Sequence, residues 1–159
     1  MSKKYLISTP IKETCPKLKK NTLVFNSESS IHKHQGKEAE YKNYYVIKNR
    51  WNDKKKLGKD DKYLNSLYEI LLKSLAKKLN SIHLVNYSLE FWRIVVGPWL
   101  CTFLEIYYER WRSIEESCSK HKISNCIFLK LKNNFFIPYD HEEFIKFVYN
   151  PLWNQFIFQ

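Results

Sequence analysis

The side chains able to do chemistry in this sequence are few and scattered. Two carboxylates, Glu13 and Glu28, follow closely on the first two short apolar runs, Tyr5-Leu6-Ile7-Ser8 and Thr22-Leu23-Val24-Phe25. Loops at the carboxyl ends of parallel strands border the crevice where open α/β sheets take ligands, so either carboxylate could orient a substrate hydroxyl; a solvated loop carboxylate is the plainer reading. His83 could act as a general base near neutral pH, or end a helix with its ring against the helix dipole. Arg93 offers a planar fork for a phosphate or carboxylate, or else an ion pair to Glu69 or Glu90. Trp99, behind Gly97-Pro98, could cover the apolar face of a sugar or simply fill a core. Glu13 and His83 are therefore the catalytic candidates, and Arg93, Trp99 and Glu28 the substrate-binding ones.

Standard catalytic signatures are absent: there is no G-x-G-x-x-G, G-x-x-x-x-G-K-[ST], G-x-S-x-G or H-E-x-x-H. With three glycines in all, Gly36, Gly58 and Gly97, a backbone loop wrapped around phosphates is not expected. Cys15, Cys101, Cys118 and Cys126 form no C-x-x-C pair, and two of them fall inside apolar helical patterns. Free thiols packed as small hydrophobes are expected, with neither a disulfide nor a metal site.

The elements that must position these groups can be read from hydrophobic period. The two runs above and Tyr44-Tyr45-Val46-Ile47 predict three short strands, and Cys126-Ile127-Phe128-Leu129 a fourth, all in an open, mostly parallel sheet. From Asp53 the period changes. Leu64, Leu67, Tyr68, Leu71, Leu72, Leu75, Leu79 and Ile82 recur at helical spacing opposite Lys73, Lys77 and Lys78, predicting one long amphipathic helix capped by Asn52 or Asp53. Ser88 can cap a short helix through Val96, and Pro98 suits the first turn of the next, whose expected apolar face is Leu100, Phe103, Leu104, Tyr107, Trp111, Ile114 and Cys118. Asp140 can cap a helix from His141 to Tyr149. Ser27 to Gly36 reads as polar loop or weak helix. The chain closes on an apolar run, 151–159, which must bury itself in its own core or against a further lobe or partner chain.

The chain has 159 residues, 44% hydrophobic and 16% aromatic, enough for one sizeable core and too apolar for disorder; a single α/β domain spanning 1–159 is expected. The net charge of +11 sits mainly in residues 1–62, with 16 lysines and arginines against 7 carboxylates. Such a front could attract nucleic acid, an anionic membrane face or a phosphorylated substrate. Lysine far outnumbers arginine, and Asn, Ile, Tyr and Phe are abundant, so an AT-rich genome accounts for much of the charge. No signal peptide or membrane-spanning run stands out, since the longest apolar stretch is broken by Gly97-Pro98 and Glu105; a cytoplasmic location is expected.

One segment is more specific: Tyr68-Glu69, Leu79-Asn80-Ser81-Ile82-His83, Ser88, then Trp92-Arg93-Ile94 and Gly97-Pro98-Trp99-Leu100. Together with the start Tyr5 to Thr9, Glu13-Thr14 and the turn Arg50-Trp51-Asn52-Asp53, it resembles the front of a family of transferases encoded among O-antigen and other surface-polysaccharide genes of bacteria. The chain departs from the family pattern at Cys15, where an aromatic residue is usual, at Arg50, where histidine is usual, and at Asn26-Ser27. The resemblance implies a Rossmann-like N-terminal lobe of a two-lobed, glycosyltransferase-like enzyme, incomplete as a catalyst by itself. It further implies a sugar or glycolipid acceptor on this lobe, no cofactor within this chain, a sugar-nucleotide donor on a C-terminal lobe, and work at the inner face of a membrane. Two rivals from other classes are a stand-alone basic nucleic-acid module and a non-catalytic remnant docking through 151–159.

Overall fold

The computed structural model describes residues 3–17, 20–30, 43–131 and 136–158. Most of the polar segment that includes His32, His34 and Gly36 lies outside the described residues. The chain divides into two compact units, one formed by Met1–Arg50 with Arg110–Gln159 and the other by Trp51–Glu109.

The first unit is built on four parallel strands: β1 (Lys4–Ile7), β2 (Thr22–Phe25), β3 (Asn43–Val46) and β4 (Asn125–Cys126). They lie in the order β3-β2-β1-β4, with Leu6 opposite both Val24 and Cys126. Every residue of β2 is buried, because both faces of this inner strand are covered. Ile7, Leu23 and Phe25 form one apolar layer; Leu6, Val24 and Ile47, with Ile114 and Ile123, form the other. β3 is an edge, and its Tyr44 and Tyr45 are exposed. β4 is shorter than its apolar run predicts, since the register pairs it with β1 at two positions only. Beyond it, the Leu129 carbonyl accepts from Gln155 Nε2 at 2.9 Å instead of joining the ladder.

Two short helices complete this unit, α4 (His141–Val148) and α5 (Pro151–Ile157). Asp140 Oδ1 accepts from Glu143 N at 2.8 Å, so the predicted cap is used. The closing apolar run is α5. Trp153 is buried with its ring edge-on to Phe144 at 5.8 Å, and Phe156 lies 6.2 Å from Phe136, so much of the run is packed within its own unit.

The second unit is helical. It holds α1 (Lys54–His83), α2 (Leu89–Val95) and the opening turns of α3 (Gly97–Lys120). Asp53 Oδ1 caps α1 by accepting from Lys55 N and Lys56 N, and Ser88 Oγ caps α2 by accepting from Phe91 N. Leu64 and Leu72 of α1 meet Leu100 and Leu104 of α3 in the core. The buried stripe is narrower than the sequence pattern, for Leu71 and Ile82 face solvent. Leu71 sits one residue, about 100° of helical turn, from the buried Leu72. Past its first turns the predicted α3 face holds only at Ile114: Tyr107, Trp111 and Cys118 are exposed, while Ser113 and Ser117 are buried. Those two hydroxyls bond carbonyls of their own helix, Arg110 O at 2.8 Å and Ser113 O at 2.7 Å, which is how small polar residues come to occupy an inward row.

Gly97 is fixed by close approach. A Cβ placed there would stand 2.5 Å from Tyr68 Oη, so alanine must push the phenol aside. Gly97→Ala is expected to lower stability by about 1–3 kcal/mol, the usual range for overpacking. Adding Tyr68→Phe should restore part of that loss in thermal melts.

Candidate functional site

The strand order places a reversal between β1 and β4, and the crevice outside their carboxyl ends is where sheets of this kind hold ligands. The segment leaving β1 passes this point. Thr9 precedes Pro10 and is thereby kept out of the helical region. The chain then tightens into a single 3-10 turn, Lys12–Thr14, closed by Thr14 N to Ile11 O and Cys15 N to Lys12 O, both at 3.1 Å. Thr14 Oγ1 adds a bond to Ile11 O at 2.7 Å. These contacts leave Glu13 and Lys12 exposed at the head of the turn.

Facing them is the start of α5. Asn150 Oδ1 accepts from Leu152 N and Trp153 N, and Pro151 occupies the first turn, where its missing N–H costs no bond. Between Pro10–Glu13 and Asn150–Leu152 lies an open groove of about 450 Å³. It presents a carboxylate, an ammonium and apolar walls from two prolines, a surface able to hold a polar hydroxyl-bearing molecule.

Beneath the carboxyl ends of β1 and β2 is a buried polar cluster that the sequence pattern did not reveal. Ser30 Oγ donates to Asn26 Oδ1 at 2.6 Å, Asn26 Nδ2 donates to Ser113 Oγ at 3.4 Å, and Ser30 Oγ lies 3.3 Å from the Ser8 carbonyl. The cluster ties the loops after both strands to α3 across 87 residues of sequence. Thr9 Oγ1 is buried beside it with no hydrogen-bond partner among the described residues. Burial pushes the Cys126 thiol, on β4, up to about 11, which keeps it neutral at physiological pH. Among the described residues no group of three or more His, Cys, Asp and Glu is arranged for a metal ion.

The remaining candidates fall in different places. Glu28 is exposed at the start of the 3-10 turn Glu28–Ser30 that follows β2. His83 is the last residue of α1, exposed, with its ring stacked 6.3 Å from Trp92, and Leu84 after it is the C-cap. Arg93 gives both arms of its fork to Glu69, at 2.6 and 2.9 Å, and lies 5.7 Å from the Tyr68 ring. Trp99 is half-buried in the α1–α3 core, stacked on Phe103 at 5.1 Å. Of the five, Glu13 lines the groove between Pro10–Glu13 and Asn150–Leu152.

The Arg93–Glu69 bond holds the Glu69 carboxyl below its usual 4.5, with the hydrogen bond as the main cause, followed by a smaller opposing desolvation. A depressed carboxylate favours the fold above its unfolded value and loses that contribution as pH falls through the folded one. In Arg93→Met, Glu69 is therefore expected to titrate closer to 4.5 by carboxyl-carbon NMR; an unchanged titration would discount the pair as its cause.

Sequence reasoning also missed Asp60. Its carboxyl is buried on α1, accepting from Trp51 Nε1 at 3.2 Å and Tyr108 Oη at 2.9 Å. The predicted turn at Trp51 is thereby pinned to α1, and the only signal was the proximity of a tryptophan to an otherwise misplaced aspartate.

A parallel sheet with its strand-order reversal beside a polar, glycine-poor loop defines an α/β domain of the class that handles ligands at its carboxyl edge. Residues 4–159 match the LIC12162 family transferase, and the chain belongs to that family. No curated protein and no solved structure matches it. No helix among the described residues is long and apolar enough to cross a membrane.

Proposed function

We propose that this chain is the acceptor-binding part of a glycosyltransferase of bacterial surface-polysaccharide biosynthesis, O-antigen included. The observation that carries the reading is the position of Glu13 in the groove outside β1, next to the strand-order reversal, in a chain of a transferase family. Glu13 holds the hydrogen of an acceptor hydroxyl while that oxygen bonds to the anomeric carbon and the bond from that carbon to the nucleotide phosphate breaks; the carboxylate takes up the proton and the phosphate leaves with the bonding electrons. Lys12 offers its ammonium to an anionic group of the acceptor.

The donor belongs elsewhere in this reading. The β1 loop, 8–17, contains no glycine and leads to one 3-10 turn, so it has neither the bare backbone nor the long helix start that cradles a pyrophosphate. The sugar nucleotide is then held by residues outside this chain, and the chain alone is inactive.

The test uses the product of the intact gene, incubated with nucleotide sugars and lipid-linked saccharide acceptors, with products read by mass. Transfer of one sugar to an acceptor supports the proposal. Transfer of a group other than a sugar would overturn it.

A further inference from the structure

The end of α1, the turn after it and α2 carry large apolar side chains in solvent. Leu84 is 92% exposed and Ile94 78%, and Ile82, Tyr87, Phe91 and Val95 are exposed as well. Leu84 has φ 54 and ψ 41, the only positive φ at a non-glycine among the described residues. It ends α1 in the left-handed conformation, where glycine is favoured because a Cβ adds strain. A leucine there strains the backbone and buries almost nothing, so the folding of this unit does not account for it.

The turn is nonetheless held firmly. Asn80 Nδ2 donates to Tyr87 O at 2.9 Å, while its Oδ1 accepts from Tyr87 N at 3.1 Å and from Trp92 Nε1 at 2.9 Å. Trp92 is buried, and the Tyr87 and Phe91 rings lie 4.2 Å apart. The last turns of α1, residues 70–83, carry exposed Lys73, Lys77 and Lys78 and no carboxylate, with Glu69 one turn before Lys73. Lys78 and Ile82 share one row of α1 at a spacing of four. Arg93 is engaged by Glu69, and Glu90 is the one carboxylate from 70 to 96.

We propose that this tip docks on an anionic lipid bilayer. Leu84 and Ile94 enter the acyl boundary, Tyr87 and Phe91 sit at headgroup depth, and the three lysines meet the lipid phosphates. Side chains this exposed protrude instead of lining a groove, and Lys77 and Lys78, which have no carboxylate three or four residues away on α1, suit a diffuse anionic sheet better than a protein surface. The proposal rests on the helical unit alone and stands or falls independently of the transfer reaction.

Co-sedimentation of the full gene product at low salt tests it, with vesicles of phosphatidylcholine alone or with roughly one-third phosphatidylglycerol. The protein is expected on the anionic vesicles and not on the neutral ones. Leu84→Gly should raise the melting temperature, because glycine relieves the positive φ, yet weaken partition about tenfold through loss of its inserted side chain. Lys77→Gln with Lys78→Gln should weaken it about 25-fold, at about fivefold for each charge. Absence from the anionic pellet, equal binding to neutral vesicles, or binding indifferent to Leu84→Gly and Ile94→Ser would each overturn the proposal. So would self-association lost in those variants without any vesicle binding, which would assign the tip to a protein contact.

Discussion

Replacing Glu13 by glutamine in the intact enzyme is expected to lower kcat about 10²–10³-fold, within the range for loss of a positioned general base. Glutamine keeps the size and a hydrogen-bond acceptor but cannot take the acceptor proton at neutral pH. Glu13 is exposed and is held by the backbone bonds of the Lys12–Thr14 turn, so the fold does not depend on its side chain. The melting temperature should therefore match the wild type while turnover falls. Glu13→Asp should recover part of the rate, because the carboxylate remains though it is one methylene shorter. Lys12→Ala is the contrast, expected to raise KM for an anionic acceptor more than it lowers kcat. Wild-type turnover by Glu13→Gln would remove this carboxylate from the reaction and leave the groove as a binding surface only.

The largest effect on stability is expected at Phe25. Its side chain is fully buried at the end of β2, in one layer with Ile7 and Leu23 and edge-on to Tyr44 at 6.3 Å. Phe25→Ala removes that ring from the centre of the sheet, for a loss of about 3–5 kcal/mol. Domains of this size have only about 5–15 kcal/mol in total, so the variant should unfold at markedly lower urea. Phe25→Leu keeps most of the volume and is expected to lose less than half as much. The same strand ends beside Asn26 and Ser30, so in Phe25→Ala the loops after β1 and β2 should also lose hydrogen-exchange protection. An equal midpoint for Phe25→Ala and wild type would show that β2 is not the centre of this core.

Much of the secondary structure follows from signals a few residues long. The runs at Tyr5, Thr22 and Tyr44 became strands, and Asp53, Ser88 and Asp140 cap the helices they precede. Pro98 lies in the first turn of α3 as its missing N–H predicts. Each of these depends on a residue and its near neighbours, and the contacting atoms are supplied within one turn of chain. Helix faces were less legible. Period alone put Leu71, Ile82, Trp111 and Cys118 inward, yet burial depends on what is opposite, and Leu100 and Leu104 cover only part of the α1 circumference.

The sequence by itself determined the strands, caps and long helices close to where they stand, because those features rest on local period and backbone preference, and its resemblance to a transferase family agrees with the family match. Only the tertiary structure decided which candidates share a site. It set Glu13 against Asn150 in one groove, joined Asn26 to Ser113, turned the Arg93 fork onto Glu69, and left Leu84 in solvent. Contacts between groups 24 to about 140 residues apart depend on strand order and helix packing, and no pattern within a few turns of chain contains that information.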